Sequence, residues 1–407
     1  MNNSLNKKKA DSATIISAVI VLLIYVAVFV AEQFIAPTSM LFTVLKKGAT
    51  YALVAVSMNL LNGFTGIFSL GQAGFMLIGA YTYGVFTIPV AERLNVYQYY
   101  NGGLVQFVLP WFVAMLLAGL VAAFFAFLIG MPVLRLKSDY LAIASLGFAE
   151  IIRAVMQWDK LGPITNGSNM LRLFPAFNDF NIKNADGQVV VYLSTLIPML
   201  IAGLCIGVII LLINSTFGRA LKAIRDDEIA AEAMGIRLAS HKRLAFCISS
   251  FFAGVGGAML AMYQTTVQAK GFTTAMTYEI LLIVVIGGIG SVTGSCLSSF
   301  LFVAASEWWL RFLDQKQMIG DFEVPLLRNG FRLVVFSIII MIVVLFFRKG
   351  IMGTKELPDL IRGIGKKNKR PTNGRTEGVR SEGLAARNPR PTNSEDAGRN
   401  NKGAAAK

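Results

Sequence analysis

The chain has 407 residues, 55% hydrophobic and only 15% charged, with a formal net charge of +15. Several apolar runs reach the ~20 residues that span a bilayer, and the charges are gathered in a few places. That pattern excludes a soluble globular protein and gives an all-α polytopic membrane protein. The basic excess does not require nucleic acid: residues 348–407 hold 15 Lys/Arg against 6 Asp/Glu, and retention of Lys and Arg on the cytoplasmic side accounts for the sign.

Lys7, Lys8 and Lys9 precede an apolar run from about Ile15 to Phe34. The run is long for a signal peptide and lacks a clear small-x-small cleavage site, so it reads as a retained helix behind a cytoplasmic segment, residues 1–14. Apolar segments follow at roughly 41–62, 68–88, 104–133, 140–157 and 190–213. Six crossings return the chain to its starting side, where Arg135 and Lys137 also fall. Lys46 and Lys47 fit this frame badly, near the outer end of the second segment, and are assigned to snorkelling or a cavity. The polar stretch Trp158–Gln188 is the main external cap.

Next comes a polar island, GRALKAIRDDEIAAEAMGI at 218–236, within a cytoplasmic loop at 214–242. Six basic residues between Arg219 and Arg243 place it inside. Asp226, Asp227 and Glu228 stand where a short helix begins, favoured by the helix dipole, and Gly235 is placed to end it. Ile229, Ala230, Ala233 and Met234 give that helix a small apolar patch. About two turns, roughly 12 Å long, are marginal alone in water and need a partner to pack on. The helix has the properties of a lever driven by another protein.

Beyond the island, segments are expected at about 243–264, 277–313 and 331–347. A basic, cytoplasmic carboxyl terminus requires the middle stretch to return to the side it left. Gly287, Gly288, Gly290 and Gly294 permit that reversal. The count is then about 8–10 transmembrane helices, including Gly-broken or re-entrant segments. Irregular backbone at membrane depth belongs inside the bundle. Gly63, Gly66, Gly71, Gly74 and Gly79 mark a comparable break, either a repeat of the first or close helix packing. Residues 348–407 read as a disordered basic tail, solvated or resting on anionic lipid.

Chemistry is sparse. There is no phosphate-binding loop of the G-x-x-x-x-G-K-[ST] type, no H-E-x-x-H and no G-x-S-x-G, so neither ATP hydrolysis nor an intramembrane hydrolase is expected of this chain. Cys205, Cys247 and Cys296 lack metal-ligand spacing and read as buried apolar residues, and His241 alone cannot build a metal site. Glu150 and Arg153 share a helix face as a neutralising pair. Glu279 precedes the Gly-rich break, where freed amides can attract a carboxylate.

The island resembles the coupling loop of ABC importer permeases, specifically branched-chain amino acid permeases of the LivM type. Ala230, Ala231 and Gly235 match the importer pattern, and Ile229 stands where it has Glu. GFTGIFSLGQAGFMLIGAY at 63–81, with Gln72 where His is common, LRLKSDYLAIASLGFAEIIR at 134–153 and EILLIVVIGGIGSVTG at 279–294 are similar to the family's other signatures, in order. The likeness covers about 40–347 and departs at Asn166–Met170, where the family has a Gly-rich run. It implies the ABC importer permease fold, the pore-forming subunit of an importer of leucine, isoleucine and valine. A second related permease, ABC ATPase subunits carrying ATP, and an extracytoplasmic substrate-binding protein complete it, in a bacterial plasma membrane with both termini cytoplasmic. On that basis Arg225, Asp226, Asp227, Glu228, Ala230, Ala231, Glu232, Ala233 and Gly235 couple to the ATPase. Gly71, Gln72, Glu150, Glu279, Gly287, Gly288 and Gly290 are candidates for the path. A urea or short-amide permease of the same family, an ATP-independent secondary transporter and a membrane scaffold are the alternatives.

Overall fold

The computed structural model describes residues 2–35, 39–136, 138–184, 186 and 188–311, with side chains from Ile15 except those of Ser138 and Asp139, and then isolated positions, the last being 350–353, 356 and 357. The chain divides into two units, Met1–Ile364 and Gly365–Lys407, and every described residue falls in the first. Lys137, the side chains of Lys7 to Lys9, most of the segment at 331–347 and the tail from 358 lie outside the described residues.

The protein is a helical, multi-pass membrane bundle. In chain order its helices are α1 (Asn2–Phe34), α2 (Met40–Asn59), α3 (Gln72–Thr87), α4 (Arg93–Val96), α5 (Trp111–Val133), α6 (Ser138–Met156), α7 (Gly162–Thr165), α8 (Leu196–Asn214), α9 (Thr216–Asp226), α10 (Glu228–Ala233), α11 (Leu238–Gln264), α12 (Thr274–Gly287) and α13 (Val292–Ala304). π-Helical turns extend α2 over Leu60–Thr65 and α13 over Ala305–Trp309. Among the described residues five helices are long and apolar enough to cross a membrane, and up to seven if each of two bent pairs counts as one span. The expected eight to ten also drew on 331–347, mostly outside the described residues, and on α12 and α13. At 14 and 13 residues these two are about 20 Å long, short of the ~30 Å hydrocarbon core.

Lipid is as apolar as leucine, so the interior is held by close packing between small residues rather than by removal of apolar surface from water. α3 and α11 touch backbone to backbone: the carbonyl of Gly254 leaves no room for a β-carbon at Gly79, and the carbonyl of Met76 leaves none at Gly257. A β-carbon on Gly254 would stand 2.8 Å from the Ala118 carbonyl of α5. Phe75 and Phe246 close the seam edge to face, 5.5 Å apart. α1 lies outermost, pinned to α8 by Tyr25 Oη donating to the Met199 carbonyl (2.8 Å). The buried Glu32 carboxylate accepts from Thr195 N (2.7 Å) and Ser194 Oγ (2.9 Å) at the start of α8.

Two segments begin later than their apolar runs. The run at 104–133 becomes helix only after Pro110, because the buried Arg93 guanidinium binds the carbonyls of Val105 and Phe107 and holds that stretch extended. The run at 190–213 starts with strand β2 (Val189–Val191), paired antiparallel with β1 (Ile182–Lys183). Asn181 Oδ1 then binds Leu193 N and Ser194 N ahead of α8. The stretch 157–195 does form a cap at one end, locked to the α11–α12 connection by the Leu171–Val267 bridge. There the structure accounts for the two awkward lysines: Lys46 Nζ donates to Asn178 Oδ1 of the cap (3.3 Å) and Lys47 pairs with Glu307.

Candidate functional site

The island lies at the end of the bundle opposite that cap. It is two helices, not the single short one expected. Ser215 caps α9 through Gly218 N, and Gly218, Leu221 and Ile224 form its buried face, with the Ile213 carbonyl leaving no space for a side chain at 218. Asp226 therefore ends α9 instead of starting the next helix. Asp227 is the break: extended at φ −157°, its Oδ1 accepts from Ile229 N (2.9 Å) and Ala230 N (3.0 Å) and caps α10. Such a cap contributes roughly 1 kcal/mol. Gly235, at φ +86°, ends α10, its N–H meeting the Glu232 carbonyl (2.9 Å) while Ile236 N returns to Ala231 O (3.1 Å). Glu228 reaches Lys242 of α11 at 2.7 Å. Thus α10 is gripped at both ends, with Ala231 buried beneath it. Its other face is bare: Ile229 and Met234 are each 83% exposed, and Ala230, Glu232 and Ala233 are exposed beside them.

Arg225 ties the island to the bundle. Nη1 donates to the Gly63 carbonyl in the π-turn (3.0 Å), while Nε and Nη2 hold Asp226 Oδ1 at 3.1 and 2.9 Å. Lys222 lies over the Phe64 ring of the same turn, 5.6 Å from its centroid. Gly63 in turn abuts Gly290, so the two Gly-rich breaks are one junction. The reversal expected at 287–294 is present: α12 ends at Gly287, Gly288 (φ +114°) and Gly290 (φ +88°) turn the chain, and α13 runs back toward the cap.

Sequence reading passes over the residue that clamps this junction. Asn59 is fully buried. Its Oδ1 accepts from Gly290 N (2.8 Å) and its Nδ2 donates to Ser291 O (2.9 Å) and Ser295 Oγ (2.8 Å). A lone Asn in an apolar run was the available signal, since such a residue must find polar partners inside the bundle. Glu356 carried no such signal. Its carboxylate accepts from Val292 N (2.7 Å), Thr293 N (3.0 Å) and the Thr293 hydroxyl, capping α13, while Ile351 N and Met352 N bind the carbonyls of Ile286 and Gly287. Ile351, Met352 and Glu356 thus join the junction, past the boundary expected at 348.

The other path candidates are dispersed. Gly71 precedes α3, buried against Ser145, and Gln72 is 2% exposed and donates to Ser249 Oγ (3.0 Å), whose hydroxyl binds Ser57 O (2.6 Å). That makes Gln72 a tie among three helices. Glu150 and Arg153 form their pair at 2.6 Å on a half-exposed face of α6. Glu279 is exposed on α12, toward the capped end. Cys205 is buried, Cys247 and Cys296 are half-buried, and His241 stacks on Phe217 with centroids 5.4 Å apart.

Comparison with known proteins agrees with this architecture. A family model described as branched-chain amino acid transport system / permease component matches residues 40–349. The chain is 34% identical over 295 residues to the high-affinity branched-chain amino acid transport system permease protein LivM of Salmonella typhimurium, covering 67% of this chain and 65% of that protein. The LivM protein of Escherichia coli K12 matches with the same figures. The LivH permease of E. coli K12 is 23% identical over 338 residues, 80% of this chain and 99% of its own. The match thus spans just under two thirds of the length of the LivM relatives. No solved structure matches. With more than half of its length matched, the chain belongs to the branched-chain amino acid transport system permease family.

Proposed function

We propose that this chain is the permease subunit of an ATP-driven importer of leucine, isoleucine and valine, pairing with a second related permease and coupled through its island to ATPase subunits that carry the nucleotide. The observation that carries this reading is α10: an apolar face left bare, on a helix fastened at both ends and wired by Arg225 to the junction of the two broken helices. A loose loop would dissipate a push, whereas this one delivers it to Gly63 and Gly290. The basic residues around the island favour the cytoplasm for that end; on this reading both termini lie there, the cap faces outward to receive a substrate-binding protein, and the membrane is a bacterial plasma membrane. The names of the LivM and LivH relatives support the substrate class. Charge is scarce at membrane depth, which weighs against a proton- or ion-coupled carrier working alone.

Uptake by the assembled transporter in proteoliposomes tests this. ATP-dependent leucine accumulation that excess valine abolishes and excess urea leaves intact is the expected result. Competition by urea but not valine, or uptake that needs no ATPase, refutes it.

A further inference from the structure

Between α5, α8 and α11 the bundle leaves an open groove of about 340 Å³. Ala123 of α5, Val208 and Leu212 of α8, and Cys247 and Phe251 of α11 are among its walls, which present no polar surface. Side chains four residues apart stack along a helix, so each wall can be followed toward the island. On α11 the stripe through Phe251 and Cys247 continues one turn further to Arg243. On α5 it continues from Ala123 to Phe127, and there the two walls meet: the Arg243 guanidinium stands 5.3 Å from the Phe127 ring centroid. α8 ends at Asn214, just past Leu212, so the groove opens at the island's end of the bundle. From Phe251 to Arg243 is about 12 Å of helix, close to the ~15 Å depth of one leaflet, half of the hydrocarbon core.

Arg243 is half-buried and, among the described residues, has neither a carboxylate nor a hydrogen-bond acceptor. Its neighbour Lys242 differs, being held by Glu228 at 2.7 Å. The guanidinium lies over the ring, which leaves the N–H groups along its edge for an anion. An unpaired charge at the margin of the hydrocarbon is costly, and a groove without contents forfeits the dispersion contacts of its walls. One occupant relieves both. A hydrocarbon chain fits the groove, whereas a single turn of helix with its side chains takes over ~400 Å³ and could only rest on the rim. A net-negative phosphate at the head of that chain answers the arginine in a paired, planar geometry. The ammonium of a zwitterionic lipid finds no carboxylate on these walls.

We propose that this groove is a binding site for an anionic phospholipid, one acyl chain lying along Cys247 and Phe251 and the phosphate held by Arg243 at the island's end. The site depends on neither the cargo nor the ATPase. It puts a lipid contact one residue from the Lys242–Glu228 pair that fastens α10.

Photocrosslinking of the assembled transporter in phospholipid bilayers reads occupancy at this place. Phosphatidylglycerol carrying a diazirine midway along one acyl chain is compared with phosphatidylcholine carrying the same chain, and labelled peptides are mapped by mass spectrometry. The exposed face of α1, with Leu22 and Leu23 at 63% and 61%, reports bulk lipid and is expected to take both probes equally. At Val208, Leu212 and Cys247 labelling by the phosphatidylglycerol probe is expected to exceed that by the phosphatidylcholine probe by about tenfold or more, the effect of one charge-assisted hydrogen bond. Arg243→Gln brings that ratio to the α1 value, Arg243→Lys keeps part of it, and Ala123→Phe, which fills the groove, lowers labelling there by both lipids. A wild-type ratio equal to that on α1 overturns the proposal without any variant, and so does a preference that survives Arg243→Gln. Groove residues that neither lipid labels, while α1 is labelled, give the groove to another protein and overturn it too.

Discussion

Replacing Arg225 by methionine keeps the apolar stem and removes the guanidinium that joins the island to the bundle. Its bond to the Gly63 carbonyl spans 3.0 Å at a partly buried position, where a charge-assisted hydrogen bond contributes about 1.5–3 kcal/mol, here nearer the lower figure because solvent reaches the side chain. The Asp226 pair is exposed, with side chains 37% and 68% accessible, and contributes about 0–1 kcal/mol. The total, roughly 2 kcal/mol, is small enough for the variant to fold and insert in normal amounts. Its effect falls on coupling, because among the described residues no other hydrogen bond runs from α9 to the π-turn. ATP hydrolysis by the assembled transporter is expected to persist at its basal rate but to lose most of its stimulation by the substrate-loaded binding protein. Asp226→Asn is the control: it weakens the exposed pair, leaves the Gly63 bond and should couple normally. Full stimulation in Arg225→Met, or equal loss in both variants, refutes the argument that force passes through Gly63.

Other consequences follow from the same junction. Asn59→Leu removes three short hydrogen bonds and strands the half-buried Gly290 N–H, at about 1 kcal/mol for each bond and a further ~1–3 for the orphaned group. The variant is expected to lose about 4–6 kcal/mol of stability in a denaturant titration in detergent, and a loss below 1 kcal/mol contradicts the clamp. Truncation after Leu357 is expected to leave transport intact, whereas truncation after Lys349 removes the Glu356 cap and the bonds from Ile351 and Met352 and impairs it. Equal activity of the two truncations shows that the 350–357 segment has no part in the mechanism. Gly235→Ala meets open space but must hold φ +86°, a strain of about 1–2 kcal/mol, and should weaken coupling modestly. Gly235→Pro, which also removes the N–H that binds Glu232 O, should abolish it.

The spans were legible because a bilayer demands long apolar runs, and five of the predicted segments are helices close to the positions expected. Segment starts at 104 and 190 were misplaced because apolar content says nothing about Arg93 drawing carbonyls out of helix or Val189 pairing in a strand. The break at 287–290 was readable from its glycines together with the parity of the charges. The island's cap and terminator were half readable. Asp227 and Gly235 took the expected parts, but α9 was overlooked, although Gly218, Leu221 and Ile224 recur at helical spacing. The remaining features depend on long-range partners. Lys47 meets Glu307 and Glu356 meets Val292 across 260 and 64 residues, and no local pattern announces either. For the same reason Gln72 looked free to line a path, when its amide is taken by Ser249.

The account depends most on the bare face of α10 being the seat of an ATPase. A cysteine placed at Met234, in a chain whose Cys205, Cys247 and Cys296 are replaced by alanine, tests this by thiol crosslinking in intact cells, with Leu94→Cys at the capped end as the opposite control. A crosslinked product containing the ATPase from position 234 and none from position 94 is the predicted result. Capture of the ATPase from position 94, or only of other proteins from position 234, contradicts it.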